Sequence, residues 1–416
     1  MKLEIGFGSR PQTVEIPDKN VVGVLEPNAV KITERGESVV ARALQNPIGS
    51  PKLSRIVRPG EKTVVIVSDI TRPAPSYKIL PPILEELRAA GLKPGDVTVV
   101  FALGSHRRHT QEEMKKLIGE KIFAQVRCVD GDPNDFVHMG STEMDTPVDV
   151  TRIVAEADRR IGTGNIEYHY FAGYSGGAKA IMPGVSTRAA IQSNHSRMVL
   201  PEAAAGRLED NPVRQDIEEA IGLCPIDFIV NVVLDEHKEI IHAVAGHFIK
   251  AHREGCKFLD KLYLKEIDSR ADIVIVSQGG APKDLNLYQT QKALDNAKHA
   301  VKKGGVVILV GSCKEGLGEE TFEEWMLGAD TPQEIIERVQ KDFRLGGHKA
   351  AAIALVLRDA EICLVSEMKK EFVESIFLKH FDTVQEALDA SFTRLGADAT
   401  VLVMPYGGST LPKVKE

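Results

Sequence analysis

The run at residues 63–68, TVVIVS, restricts the fold of this chain more than any other stretch. Its interior is unbroken Val and Ile. A strand with no polar side must be covered on both faces, as strands are in a parallel sheet flanked by helices. Residues 97–103, VTVVFAL, repeat the pattern after a helical segment at 77–91 that Gly91 stops. Each run ends in a polar cluster: Asp69-Ile70-Thr71-Arg72-Pro73 after the first, Gly104-Ser105-His106-Arg107 after the second. Ligands of open α/β sheets collect at the carboxyl ends of strands, which directs Asp69, Arg72 and His106 to one crevice.

The same rhythm restarts at residue 271. Strands are expected at 272–276, 306–310, 362–365 and 400–404, with helices at 286–303, 320–328, 332–342, 348–357 and 383–391 between them. Earlier in the chain, 3–7 with 13–16 read as a hairpin, 21–25 as a strand, 35–45 and 111–118 as helices, and 124–129 as a further strand. A helix within 176–192, another at 213–221 with Asn211 as N-cap and Pro212 at its first position, strands at 227–234 and 239–245, and a connecting helix at 247–262 complete the expectation. The fold class is therefore α/β: two α/β domains with mostly parallel sheets and an active-site cleft between them. The expected boundaries are 1–265 for the N-terminal domain, 266–400 for the C-terminal domain, and 401–416 for a tail returning to the first. A length of 416 residues accommodates two such domains.

Composition narrows the function classes. A net charge of −7 gives no reason to expect a nucleic-acid partner. No apolar stretch approaches a membrane span, and the start lacks a basic segment followed by an apolar run. Five scattered cysteines form no CxxC pair, which fits a reducing compartment, and the cytoplasm is the expected location.

Chemistry concentrates in residues 168–195, YHYFAGYSGGAKAIMPGVSTRAAIQSNH. Lys179 lies ten residues after His169 and sixteen before His195. The turn through Ser175, Gly176 and Gly177 offers backbone N–H groups to an anion, and Arg188 can assist them. The lysine can pair with a phosphate or be modified covalently. The histidines can serve as acid and base or as metal ligands. The ordinary reading, a glycine turn with two hydrogen-bonded structural histidines, stands beside this one. Arg72 suits a bidentate clamp on a carboxylate, with Lys292 as a second cation, and Gln289 shares a helix face with Lys292. His109, next to Arg107 and Arg108, reads as a surface residue. His237, His242, His247 and His252 read as structural. There is no HExxH, no carboxylate cluster and no GxGxxG opening a strand–helix unit. The residues alone support an α/β enzyme that binds an anionic substrate and one metal. A zinc-type hydrolase or lyase, and a non-catalytic carrier, remain as alternatives.

Taken together, DITRP, GSHR, YHYFAGYSGGAKAIMPG, SNH and YQTQK resemble the nickel-pincer-dependent lactate racemase family, over nearly the whole chain. The resemblance implies an isomerase that racemises or epimerises a 2-hydroxy acid by reversible hydride transfer. It implies a nickel-bearing pincer mononucleotide held covalently by Lys179, with His195 as a ligand to nickel, and partner proteins that mature this cofactor. It makes His106 and His169 the alternating proton donor and acceptor, and Arg72 and Lys292 the carboxylate clamp. Asp69, Tyr288 and Gln289 support them. One departure stands out. The members named for lactate carry a tryptophan near the substrate in the second domain, whereas the only tryptophan here is Trp325, in an acidic helix. The comparable stretch, Phe343 to Lys349, is basic. Arg344, His348 or Lys349 would enlarge or charge the pocket and favour a longer or dicarboxylic acid; capping of a helix end is the competing expectation.

Overall fold

The computed structural model describes residues 1–72 and 74–415. Pro73, the last residue of the DITRP motif, lies outside the described residues. The chain divides into two compact units: residues 30–260 form one, and residues 1–29 with 261–416 form the other.

The 30–260 unit is built on a six-stranded sheet in the order Ile240–Gly246, Phe228–Leu234, Arg159–Asn165, Thr63–Ser68, Val97–Ala102, Arg127–Asp130. All neighbours are parallel except the first pair. The expected buried strand is its centre: Val64 to Val67 are buried, and Val64 to Ile66 pair with a strand on each side. Strand order reverses between Thr63–Ser68 and Arg159–Asn165. That junction is the topological switch point, where a crevice opens beyond the carboxyl ends. Val65, Val67, Val99, Phe101 and Ile161 pack with Ile79, Leu80 and Ile83 of the helix Ser76–Ala89 into one core cluster.

The second unit carries a six-stranded, wholly parallel sheet in the order Lys379–Phe381, Glu361–Val365, Val301–Val310, Ala271–Ser277, Val401–Met404, Val21–Val24. The expectation of two mostly parallel α/β sheets is met. The unit boundaries differ from 1–265, 266–400 and 401–416. Residues 1–29 join the second unit because Val21–Val24 extends its sheet, and because Ile5, Val14 and Ile16 of the N-terminal segment are buried in its core. The tail strand Leu411–Val414 pairs in parallel with Leu264–Ile267 of the same unit. No helix among the described residues is long and apolar enough to cross a membrane.

Candidate active site

The turn after Thr63–Ser68 is closed by Arg72 N–H donating to Asp69 O at 3.1 Å. Asp69 is buried, and its carboxylate meets His106 Nδ1 at 2.5 Å. Thr71 Oγ1 lies 3.0 and 2.9 Å from the two Asp69 oxygens and 3.2 Å from the same ring nitrogen. Burial pushes the Asp69 carboxyl up, but the hydrogen bond and charge of His106, then the charge of Arg72, outweigh it and hold it below the usual carboxylate range. An ionised Asp69 can only accept, so His106 donates from Nδ1 and its basic nitrogen is Nε2.

His109 is not a surface residue. Its side chain is 1% exposed, its Nδ1 meets Asp130 Oδ1 at 2.7 Å, and its Nε2 accepts from Ile70 N–H at 3.0 Å. The ring sits 5.2 Å from that of Phe101. This histidine ties the end of the Arg127–Asp130 strand to the Asp69–Arg72 turn. Sequence alone showed only its basic neighbours, whose side chains point elsewhere: Arg107 pairs with Glu113 and Arg108 with Asp132.

Beyond Asn165, on the other side of the switch point, Tyr168–His169 pairs antiparallel with Gly173–Tyr174. Gly173 has φ +75°, and a Cβ there would lie 1.9 Å from Arg207 O, so the position admits no side chain. His169 is half-buried and its Nδ1 accepts from Ala172 N–H at 3.2 Å. The neutral ring therefore carries its proton on Nε2, opposite to His106. Burial, then the charges of Lys179, Arg72, His195 and Arg214, hold the His169 imidazolium well below its ordinary range. Phe171 packs edge-on against both His169, at 4.5 Å between centroids, and His195, at 4.8 Å.

Lys179 lies in the short 3-10 turn Gly177–Ala180 rather than in a helix; the helix begins at Arg188. Its side chain has no hydrogen bond or ion pair among the described residues. Burial, then the positive charges of Arg214 and Arg72, push the amine well below the usual lysine range. His195 ends the helix Arg188–His195 and is buried, with Nδ1 2.8 Å from Asn194 Oδ1. Arg188 is exposed in the first turn of that helix.

The glycine turn is less open to an anion than its composition suggests. Ser175 Oγ donates to Asn165 O at 2.7 Å and accepts from Glu167 N–H at 2.9 Å, and Gly177 N–H is taken by Asn231 Oδ1 at 2.8 Å. His252 lies beneath Gly177, donating from Nε2 to Ser175 O at 2.8 Å, which bears out its structural reading.

The helix Pro212–Leu223, N-capped by Asn211, holds this whole segment. Asn211 Nδ2 donates to Phe171 O at 2.9 Å. The fully buried Arg214 donates from Nε to Ala172 O at 3.1 Å and from Nη2 to Tyr174 O. Burial lowers the Arg214 guanidinium to about 10, so it stays charged at neutral pH. Sequence reading found the cap at Asn211 and missed Arg214, which carries no motif signal.

Tyr288, Gln289 and Lys292 belong to the other unit, on the helix Leu287–Ala297. Its N-cap, Asn286, accepts from Gln289 N–H at 3.0 Å. Tyr288 and Gln289 are half-buried and Lys292 is exposed. Of the three basic residues weighed as pocket residues, Arg344 pairs with Asp342 at 2.6 Å, and His348 accepts Gly346 N–H in the first turn of a helix. Lys349 is buried, donates to Gln291 Oε1 at 2.7 Å and lies 5.7 Å over the Tyr288 ring. Trp325 is a core residue, fully buried against Gly347 with Arg338 stacked 4.5 Å from its ring.

Comparison with known proteins decides the family. Residues 7–206 match the model of the lactate racemase N-terminal domain, and residues 267–411 that of the lactate racemase C-terminal domain. The chain belongs to the lactate racemase family. It is thus a racemase, an isomerase. Lactate racemases of Thermoanaerobacterium thermosaccharolyticum and Lactiplantibacillus plantarum are each 33% identical to it, over 99% of this chain and 99% of theirs. The structure of the T. thermosaccharolyticum lactate racemase apoprotein covers 100% of both chains with a TM-score of 0.88. A crystal structure of a Thermotoga maritima protein, 19% identical, shares the fold at a TM-score of 0.62 over 91% of this chain and 97% of that one.

Proposed function

We propose that this family member racemises or epimerises a 2-hydroxy acid, lactate or a larger or dicarboxylic relative, with a nickel-pincer nucleotide attached to Lys179. The observation that carries the reading is a pair of imidazoles held in opposite tautomers, His106 donating from Nδ1 to Asp69 and His169 accepting at Nδ1 from Ala172 N–H, together with a lysine amine whose charged form burial and the charges of Arg214 and Arg72 disfavour.

The donor set suits that cofactor. Among the described residues no group of three or more His, Cys, Asp or Glu side chains could hold a metal ion. A catalytic zinc of the hydrolase type needs about three protein ligands, so that alternative finds no support. A metal that arrives with its own donors needs only the one imidazole His195 provides, and nitrogen with sulfur suits nickel. Lys179, depressed by burial and by Arg214 and Arg72, is suited to nucleophilic attachment. When bound, the nucleotide supplies the hydride acceptor that the reaction needs, since a C2–H bond beside a carboxylate is a very weak acid.

The chain's own residues then have distinct tasks. Arg72 binds the substrate carboxylate, and Lys292, with Tyr288 and Gln289, is assigned to the same task by the family resemblance. His106 accepts the hydroxyl proton on Nε2, and Asp69 stabilises the resulting imidazolium through Nδ1. His169 in its protonated form gives a proton to the oxygen as the hydroxy acid is re-formed, and so returns to the neutral ring that its surrounding cations favour. Two imidazoles that exchange the acceptor and donor roles give either enantiomer a base for its hydroxyl proton.

The test is co-expression with pincer-cofactor maturation proteins, followed by intact mass, nickel content and racemisation of a panel running from lactate to malate. A mass increase mapped to Lys179, with nickel and turnover, is the expected outcome. Loading without turnover would make the chain a cofactor carrier; no loading under conditions that load a known relative would remove the cofactor reading.

A further inference from the structure

We propose that Asn194 and Asp216 are positioning residues that fix the tautomer of His195. The inference rests on the reading of His195 as the metal ligand for its functional meaning, but not for its geometry.

An asparagine beside a histidine can present either its oxygen or its NH2, and the choice decides which ring nitrogen is protonated. Here the choice is over-determined. Asn194 is fully buried, and its Nδ2 donates to Val213 O at 3.1 Å and to Asp216 Oδ2 at 2.7 Å. Both partners only accept, so neither tolerates the carboxamide oxygen in place of the amine. The oxygen must face His195, 2.8 Å from Nδ1, and an oxygen there requires Nδ1–H. The basic nitrogen of the ring is then Nε2.

Asp216 is in turn held as an acceptor. It is fully buried, and Thr142 Oγ1 donates to its Oδ1 at 2.5 Å while Thr146 Oγ1 donates to its Oδ2 at 2.8 Å. The Arg197 guanidinium lies 3.6 Å from Oδ2. The chain of bonds therefore runs from a charged carboxylate through an amide to the imidazole, in one fixed direction. Phe171, edge-on to the ring, restricts its rotation from another side. A ligand whose far nitrogen is pinned in this way keeps its orientation and gains basicity at the near one.

The experiment reads the apoprotein, labelled with 15N-histidine, by long-range 1H–15N correlation, with His195 assigned by its loss in His195→Gln. The wild type is expected to show a protonated Nδ1 and an unprotonated Nε2. Asn194→Ala should shift the tautomer ratio toward Nε2–H by roughly fivefold, the equivalent of about 1 kcal/mol for one net hydrogen bond, while the other histidine signals stay in place. Asp216→Asn, nearly isosteric, is the second variant and should shift the ratio in the same direction. A wild-type His195 protonated on Nε2, or an unchanged ratio in whichever of the two variants folds, overturns the proposal. Because no metal is present, neither result depends on the nickel reading; that reading fails separately, by absence of the Lys179 adduct after co-expression.

Discussion

His109→Ala tests whether the Asp69–Arg72 turn is held from outside the site. The substitution removes the acceptor of Ile70 N–H and the donor to Asp130 Oδ1. A buried N–H left unpaired costs about 1–3 kcal/mol, and a hydrogen bond to a charged partner contributes about 1.5–3 kcal/mol. Asp130 keeps a second bond, from His109 N–H at 2.9 Å, so its loss falls at the low end. The sum expected is about 3 kcal/mol, read by urea unfolding at constant m. Hydrogen exchange of the Ile70 amide should accelerate in the same variant. His109→Gln, which can return an acceptor near the Nε2 position, should recover the Ile70 protection but not the Asp130 bond. Racemisation by the loaded enzyme should fall with the turn's order, through Asp69 and Arg72. A loss under about 0.5 kcal/mol, typical of a surface substitution, would refute the reasoning.

Asp69→Asn should lower kcat by about 10²–10⁴ with the fold intact, since the amide can hold either tautomer of His106; a change under tenfold would show that the carboxylate does not set the ring. Lys179→Ala should abolish the covalent mass increase while leaving the circular dichroism of the apoprotein unchanged, and an adduct surviving in that variant would move the attachment elsewhere. His169 and His252 have folded-state pKa values well below 6.5 because burial disfavours their charged forms. The unfolded chain therefore binds protons first, so their contribution is fully present above about pH 6.5 and is lost as pH falls below it. Thermal midpoints between pH 8 and pH 5 should drop through the lower part of that range, and a flat or rising profile would contradict the burial. Trp325, the sole tryptophan, is buried in the second unit, so its fluorescence should red-shift when that unit unfolds and ignore unfolding confined to residues 30–260.

What was legible in the sequence follows from what each residue needs. Strands made of Val and Ile announced themselves, because burial on two faces admits nothing else. The strand Arg159–Asn165, one of the two that flank the switch point, did not: it reads RRIGTGN. Its glycines answer to tertiary neighbours, since a Cβ on Gly162 would lie 3.0 Å from the Ala180 Cβ. The hairpin Phe136–Ser141 with Pro147–Thr151 was missed for want of a regular pattern. At the site, motif residues were found and their supports were not. Arg214, Asp216 and His109 act through backbone carbonyls and amides at long sequence separation, a relation that spacing along the chain does not encode; Asn194 stood in the SNH motif, but its hold on Asp216 did not show there. The same applies to the first 29 residues, whose apolar positions were visible but whose partner sheet was not.

The helix Pro212–Leu223 holds the Tyr168–Tyr174 segment through its N-cap Asn211 and through Arg214, and the end of the Arg188–His195 helix through Asp216. In mechanical terms it is a jig. Two imidazoles from separate segments are referenced to one rigid body, so their mutual distance has almost no soft coordinate of its own. His106, referenced instead to the Asp69 turn on the far side of the switch point, is the one histidine of the three whose position relative to the others can change when that turn moves.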